Sequence, residues 1–217
     1  MTDHVVLQGE HLSKIAADHG FADYLTIWSH PQNLALKTQR QNPNVLLEGD
    51  TVFIPAREVR EESRPTDTIH RFEVKRRRLV LRLTLEDAFS KPIANAKCEL
   101  TVNGTLVKLM TDAKGKLEHE IPAEAERASL IVKDPLSPIN DRPIAILIGH
   151  LDPVSEVSGQ KARLNNLGYF AGAVGKDDDR LFRSAVEEFQ CDHMGHAAVD
   201  GRCGPRTQAK LKETHGC

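Results

Sequence analysis

The hydrophobic period changes twice along this chain, and that change limits the fold more than any other feature. Up to Ile54-Pro55, apolar residues recur at helical spacing between two short extended runs. From Arg71 to His150 they alternate, and after Asp152-Pro153 the helical spacing returns. A strand sends successive side chains to opposite faces while a helix repeats every 3.6 residues, so one pattern cannot serve as the other. A chain of 217 residues with three such textures reads as a multidomain α+β protein. The expected divisions are residues 1–56, a polar linker at 57–68 containing REVREESRPTD, a β-rich segment at 69–150 and a helical segment at 151–217. Each piece is small, so each core is marginal by itself.

In the first segment Val5-Val6-Leu7 reads as a strand, Gly9 as a turn, and Leu12, Ile15 and Ala16 as one face of a helix stopped by Gly20. Leu25, Ile27 and Trp28 start a second helix that Leu34 and Leu36 extend beyond Pro31, with Trp28 as a core anchor. Asn42-Pro43-Asn44 breaks it, Glu48-Gly49-Asp50 turns, and Thr51–Ile54 is the closing strand, giving a βααβ unit. In the middle segment Leu79, Leu81, Leu83 and Leu85 alternate with Val80, Arg82 and Thr84, and Asn103-Gly104 marks a two-residue hairpin. Lys114-Gly115 marks another turn, and several short strands at this spacing predict a small β-sandwich. In the last segment Val157, Leu164 and Leu167 mark a helix with Gly168 just past its end. Asp179 caps a second helix with the stripe Leu181, Phe182, Ala185, Val186 and Phe189, and Pro205 opens a third.

Charge and composition exclude several functions. Lys+Arg 29 against Asp+Glu 31 leaves a formal net charge of −2, so no global basic field favours nucleic acid. The run Lys75-Arg76-Arg77-Arg78 reads as a solvated strand face. No apolar stretch approaches the roughly 18 to 20 residues of a bilayer span, so no membrane insertion is expected. Aromatic residues make up 5%, too few for a large aromatic-lined cofactor cavity, and no cofactor is expected. Met1–Gly20 lacks a basic start followed by an apolar core, so the chain is expected to be made in the cytoplasm without a cleaved leader.

Two stretches carry family resemblances. VVLQGEHLSKIAADHGF with NPNVLLEGDTVFIP, over about residues 4–55, resembles the LysM module, which binds polymers containing N-acetylglucosamine. The resemblance implies a shallow groove between two loops, here Gly9, Glu10, His11 and Leu12 facing Asn44, Val45, Leu46, Leu47 and Glu48. Glu10-His11 stand where the family has Asp-Thr. Val157–His215 resembles the three-helix peptidoglycan-binding domain often attached to wall hydrolases. The matching blocks are RLNNLGYFAG, SAVEEFQ and VDGRCGPRTQAKL. That resemblance implies contact with glycan strands or stem peptides near Tyr169, Phe170, Asp200, Gly201 and Arg206, with Tyr169 and Phe170 equally readable as core. TDAKGKLEHEIP, Thr111–Pro122, is similar to the Ig-like or transthyretin-like sandwiches that serve as spacers.

The order of the three pieces is similar to accessory proteins of contractile injection machines, including type VI secretion systems. This resemblance implies a non-catalytic wall binder exported to the periplasm or a target cell. The alternative is an adaptor with a secretion spike or effector protein as partner, and the second alternative is a wall hydrolase.

Cys191, His193, His196 and Cys203 have the residue types of a tetrahedral zinc site, without a recognised spacing. Cys191, Cys203 and Cys217 stay open as free thiols or as a disulfide in an oxidising space. Thr214-His215-Gly216-Cys217 is similar to the nucleophile motif of L,D-transpeptidases but lacks the enclosing residues that lower a thiol's pKa. Glu118 with Glu120, Glu187 with Glu188, and the triplet Asp177–Asp179 read as polar exterior, so no catalytic residue is assigned.

Overall fold

The computed structural model describes residues 2–57, 63–71, 78–87, 89–135, 137 and 139–217. Residues 58–62 of the linker and residues 75–77 of the basic run lie outside the described residues. Among the described residues the fold mixes six α-helices with antiparallel sheets, and three separate clusters of buried residues organise it.

The N-terminal cluster lies under a two-stranded sheet, β1 (Thr2–Val5) paired with β2 (Thr51–Ile54). The first strand begins and ends earlier than the apolar run suggested. Val6 N–H still reaches the Asp50 carbonyl, but Leu7 N–H turns away to the Glu10 carboxylate and Leu7 is exposed. Helix α1 (Leu12–Asp18) buries Leu12, Ile15 and Ala16 as its spacing requires. The single second helix that was expected is three pieces. Helix α2 (Leu25–Trp28) ends at Ser29, a 3₁₀ turn occupies Pro31–Asn33, and α3 (Leu34–Arg40) follows. Proline lacks the N–H a continuous helix would use and pushes the preceding residue to extended backbone, as His30 shows with φ −67° and ψ 137°.

The middle cluster is shared by two sheets. Strand β3 (Leu79–Thr84) pairs with β6 (Lys116–Ile121), and β4 (Lys97–Val102), β5 (Thr105–Met110), β7 (Arg127–Lys133) and β8 (Pro143–Leu147) form a second sheet in the order β5-β4-β7-β8. Asn103 and Gly104 both take positive φ, 47° and 81°, the geometry of a type I′ hairpin. Glu118 and Glu120 are exposed and pair with Arg82 and Arg78, in exposed ion pairs worth at most about 1 kcal/mol each.

The C-terminal cluster is formed by α4 (Val157–Asn166), α5 (Arg180–Met194) and α6 (Pro205–His215). Asp179 caps α5 by accepting from Phe182 N–H at 2.9 Å. Its other oxygen holds Lys161 Nζ of α4 at 2.5 Å, over the Phe182 ring, and Lys161 is itself buried. Leu181, expected in the α5 stripe, is 47% exposed; Phe182, Ala185, Val186 and Phe189 carry it alone. Among the described residues no helix is long and apolar enough to cross a membrane.

Candidate functional site

The turn after α4 sends its two aromatic residues to different surroundings. Gly168 takes φ 92°, and the Asn165 carboxamide then bridges the loop, accepting from Ala171 N–H and donating to the Gly172 carbonyl, both at 2.9 Å. Tyr169 folds inward: its ring meets Phe189 edge-on at 5.6 Å, and its hydroxyl donates to Asp192 at 3.0 Å and lies 3.0 Å from His193 Nε2. Burial, then the Asp192 carboxylate, push the Tyr169 phenol above its ordinary range. Phe170 points the other way and is 72% exposed.

A second presented segment follows α5. Gln190 is 1% exposed, and its carboxamide organises the loop to α6. Its oxygen accepts from Asp200 N–H at 3.0 Å and Gly201 N–H at 3.1 Å. Its nitrogen donates to the Asp200 carboxylate at 2.8 Å, Thr207 Oγ1 at 3.0 Å and the Arg202 carbonyl at 3.1 Å. The Gln190 amide and the Arg202 N–H hold the Asp200 carboxyl below the usual carboxylate range. Asp200 is therefore engaged in the loop and Gly201 is buried, while Arg206 on the first turn of α6 stays exposed. Phe189 and Gln190 are consecutive on α5 and point about 100° apart, so the Tyr169–Phe170 turn and the Asp200–Arg206 loop stand against different faces of that helix. Sequence reading singled out neither Asn165 nor Gln190. The one signal for Gln190 is its position four residues after Val186, where the apolar stripe would continue.

The two N-terminal loops adjoin: Leu12 N–H donates to the Pro43 carbonyl and Ser13 Oγ to Asn44 Oδ1, both at 3.0 Å. Their side chains, however, face inward. His11, Leu12, Val45 and Leu46 are buried, Leu47 is half-buried, and Glu10 accepts from His4 Nε2 at 2.8 Å and Leu7 N–H at 2.9 Å. Burial would raise the Glu10 carboxyl, but these two donors outweigh it and hold the group below its usual range. The far side of the Gly9 loop is also covered. A Cβ on Gly149 would fall 2.2 Å from the Gly9 carbonyl, and one on Gly9 would fall 2.8 Å from His150 Nε2. Lys14 Nζ meets Glu126 at 2.7 Å beside this contact. Gly9 and His11 thus pack against the chain that leaves β8, beside the loops where the resemblance implied an open groove.

The four residues with zinc-ligand chemistry are not gathered. Cys191 Sγ lies 3.5 Å from His196 Nδ1, whereas His193 is directed to Tyr169 and Phe189 and Cys203 packs against the C-terminal cluster. Two residues apart on a helix point about 160° apart, which separates Cys191 from His193. Among the described residues no three His, Cys, Asp or Glu side chains form a metal-holding group. The four cysteines are free. Burial raises the Cys203 thiol to about 12 and the Cys217 thiol above its ordinary value. His215 Nδ1 lies 3.2 Å from Cys217 Sγ, but burial, then the Arg163 guanidinium, push that imidazole down to about 4. Both partners are neutral at pH 7.

His11 behaves like His215. Its Nδ1 accepts from Lys14 N–H, its Nε2 is buried without a partner in hydrogen-bonding geometry, and burial followed by Lys14 lowers it to about 4. An unfolded histidine takes a proton near pH 6.5, while these folded ones refuse it until about pH 4. Their contribution is complete above pH 6.5 and is lost as the pH falls to about 4. It amounts to at most roughly 3 kcal/mol for His11, and less for the partly exposed His215. Thermal melts at pH 7 and pH 4.5 are expected to show this loss, and His11→Asn with His215→Asn to flatten it.

Residues 154–211 of the 217 match the family model of a peptidoglycan binding domain, PG_binding_1. The match spans α4, α5 and the start of α6 through Leu211, so it contains the anchored Phe170 turn, the Gln190 clamp and Arg206. No curated protein and no solved structure gives a significant match to the chain.

Proposed function

We propose that this chain is a non-catalytic peptidoglycan-binding protein in which residues 154–211 make the principal contact. The observation that carries the reading is the family match on a segment whose one large exposed ring, Phe170, is held out on a hydrogen-bonded turn. Such a ring can cover the apolar face of a sugar or a stem-peptide methyl group, while Arg206 offers a cation to stem-peptide carboxylates. The neutral His215–Cys217 pair supports a binding role over thiolate chemistry.

The N-terminal region is a LysM-like second carbohydrate contact and the two-sheet segment an Ig-like or transthyretin-like spacer. Two weak contacts on one polymer then gain avidity through effective concentration. Delivery by a contractile injection machine of the type VI kind is the setting that the order of segments favours.

Sedimentation with purified sacculi tests the reading, together with an assay for released muropeptides. The parent chain should pellet without releasing soluble fragments. Phe170→Ala should lower the bound fraction roughly threefold to tenfold, with a smaller loss for Arg206→Ala. A chain that ignores sacculi yet forms a stoichiometric complex with a spike or effector protein is an adaptor. Release of muropeptides makes it an enzyme.

A further inference from the structure

The open surface of the N-terminal region is not between its two loops but on the outer face of its sheet. In the β1–β2 pair Asp3 stands opposite Phe53 and Val5 opposite Thr51. Alternation sends Val52 and Ile54 into the core, so Asp3, Thr51 and Phe53 face outward. The Pro31–Asn33 turn runs along the free edge of β2. Asn33 seals that edge with a buried carboxamide that accepts from Phe53 N–H and donates to the Phe53 and Ile27 carbonyls, each at 2.8 Å. A side-chain amide here replaces a neighbouring strand.

Between turn and sheet lies an open hollow of about 490 Å³ lined by Thr2, Asp3, Gln32, Asn33, Thr51 and Phe53. His30 stacks on Phe53 with ring centroids 4.7 Å apart and a tilt of 32°. Gln32 N–H donates to His30 Nδ1 at 3.3 Å, which places the proton of the neutral ring on Nε2. Phe53 is thereby held in place while remaining half-buried.

We propose that this hollow binds a neutral saccharide unit. The Asp3 carboxylate, the Gln32 carboxamide and the Thr51 hydroxyl line it and make no hydrogen bond within the chain among the described residues. A carboxylate accepts from sugar hydroxyls, a carboxamide both donates and accepts as an acetamido group requires, and an aromatic floor covers the C–H face of a pyranose. No Lys or Arg lines the hollow and Asp3 does, which disfavours phosphate or carboxylate ligands. The volume falls inside the roughly 300 to 1,000 Å³ of small-molecule sites.

The inference rests on the reading of the N-terminal region as a carbohydrate contact and adds where that contact lies. Titration of the isotopically labelled full chain with chitotetraose, followed by amide NMR, tests both. Shifts at Asp3, Gln32, Thr51 and Phe53 are expected, and Asp3→Ala and Gln32→Ala, both at exposed positions, should each weaken binding at least about fivefold. Shifts confined to Glu10, Asn44 and Leu47, with affinity untouched by the two variants, overturn the hollow and leave the carbohydrate reading standing. No shift in the N-terminal region at millimolar sugar overturns both.

Discussion

A Gly159→Ala variant is expected to melt about 10 °C or more below the parent chain, with the loss confined to the C-terminal helices. Gly159 lies in the first turn of α4, and the incoming segment crosses directly over it. A Cβ there would fall 2.1 Å from the Pro153 carbonyl oxygen and 2.4 Å from that of Asp152. Both obstacles are backbone, so no rotamer change relieves the clash.

The crossing segment is also tied down. Ser158 Oγ donates to the Asp152 carboxylate at 2.5 Å, Gln160 Nε2 to the Val154 carbonyl at 2.8 Å, and buried Arg163 uses Nη1 to reach the carbonyls of Asp152 at 2.8 Å and Gly159 at 2.7 Å. Moving the segment by more than an ångström strains or breaks these bonds, each worth about 1 kcal/mol net. Overpacking adds about 1 to 3 kcal/mol, against about 1 kcal/mol that alanine gains over glycine in a helix. The net cost is roughly 2 to 4 kcal/mol, which at about 4 to 8 °C per kcal/mol for a segment of this size gives the shift stated. Calorimetry measures it and hydrogen exchange in α4 and α6 assigns it. Gly175→Ala, whose nearest neighbour is the Ala173 carbonyl at 4.0 Å, serves as the neutral comparison. Equal melting of both variants contradicts the argument.

Gln190→Glu is expected to cost roughly 3 to 5 kcal/mol at pH 7 and to recover part of that near pH 5. The substitution keeps the shape and the acceptor for Asp200 N–H and Gly201 N–H. It replaces the donor nitrogen by an oxygen facing the Asp200 carboxylate, the Arg202 carbonyl and Thr207 Oγ1, in a site 1% exposed. Two carboxylates within hydrogen-bonding distance cannot both stay ionised there, so the new group is protonated at a raised pKa. Its neutral form then restores one donated bond. Sacculus binding should follow stability, because the loop that precedes Arg206 is set by this amide. A Gln190→Glu chain as stable as the parent at pH 7 contradicts the clamp.

Much of the local architecture was legible from residue types. Asn103-Gly104 turns as its φ values demand, Asp179 caps α5, Gly168 closes α4 and Pro205 opens α6. Such features depend on neighbours a few residues away. Pro31 was legible too, and its effect was underestimated: the apolar pattern runs through it, but the missing N–H and the extended His30 divide the helix.

The sites were harder to read because they depend on contacts between distant parts of the chain. Period and spacing determined by themselves that helices occupy both ends, that strands lie between them and that Leu12, Ile15 and Phe189 are apolar positions on the helices. Only the tertiary structure decided that Val45 and Leu46 face a core, that Gly9 meets Gly149 across some 140 residues of chain, and that Gln190 rather than Asp200 organises the Arg206 loop. The physical reason is range. Backbone preference and turn chemistry act over three or four residues, while burial and close approach are set by whichever distant segment fills the remaining space.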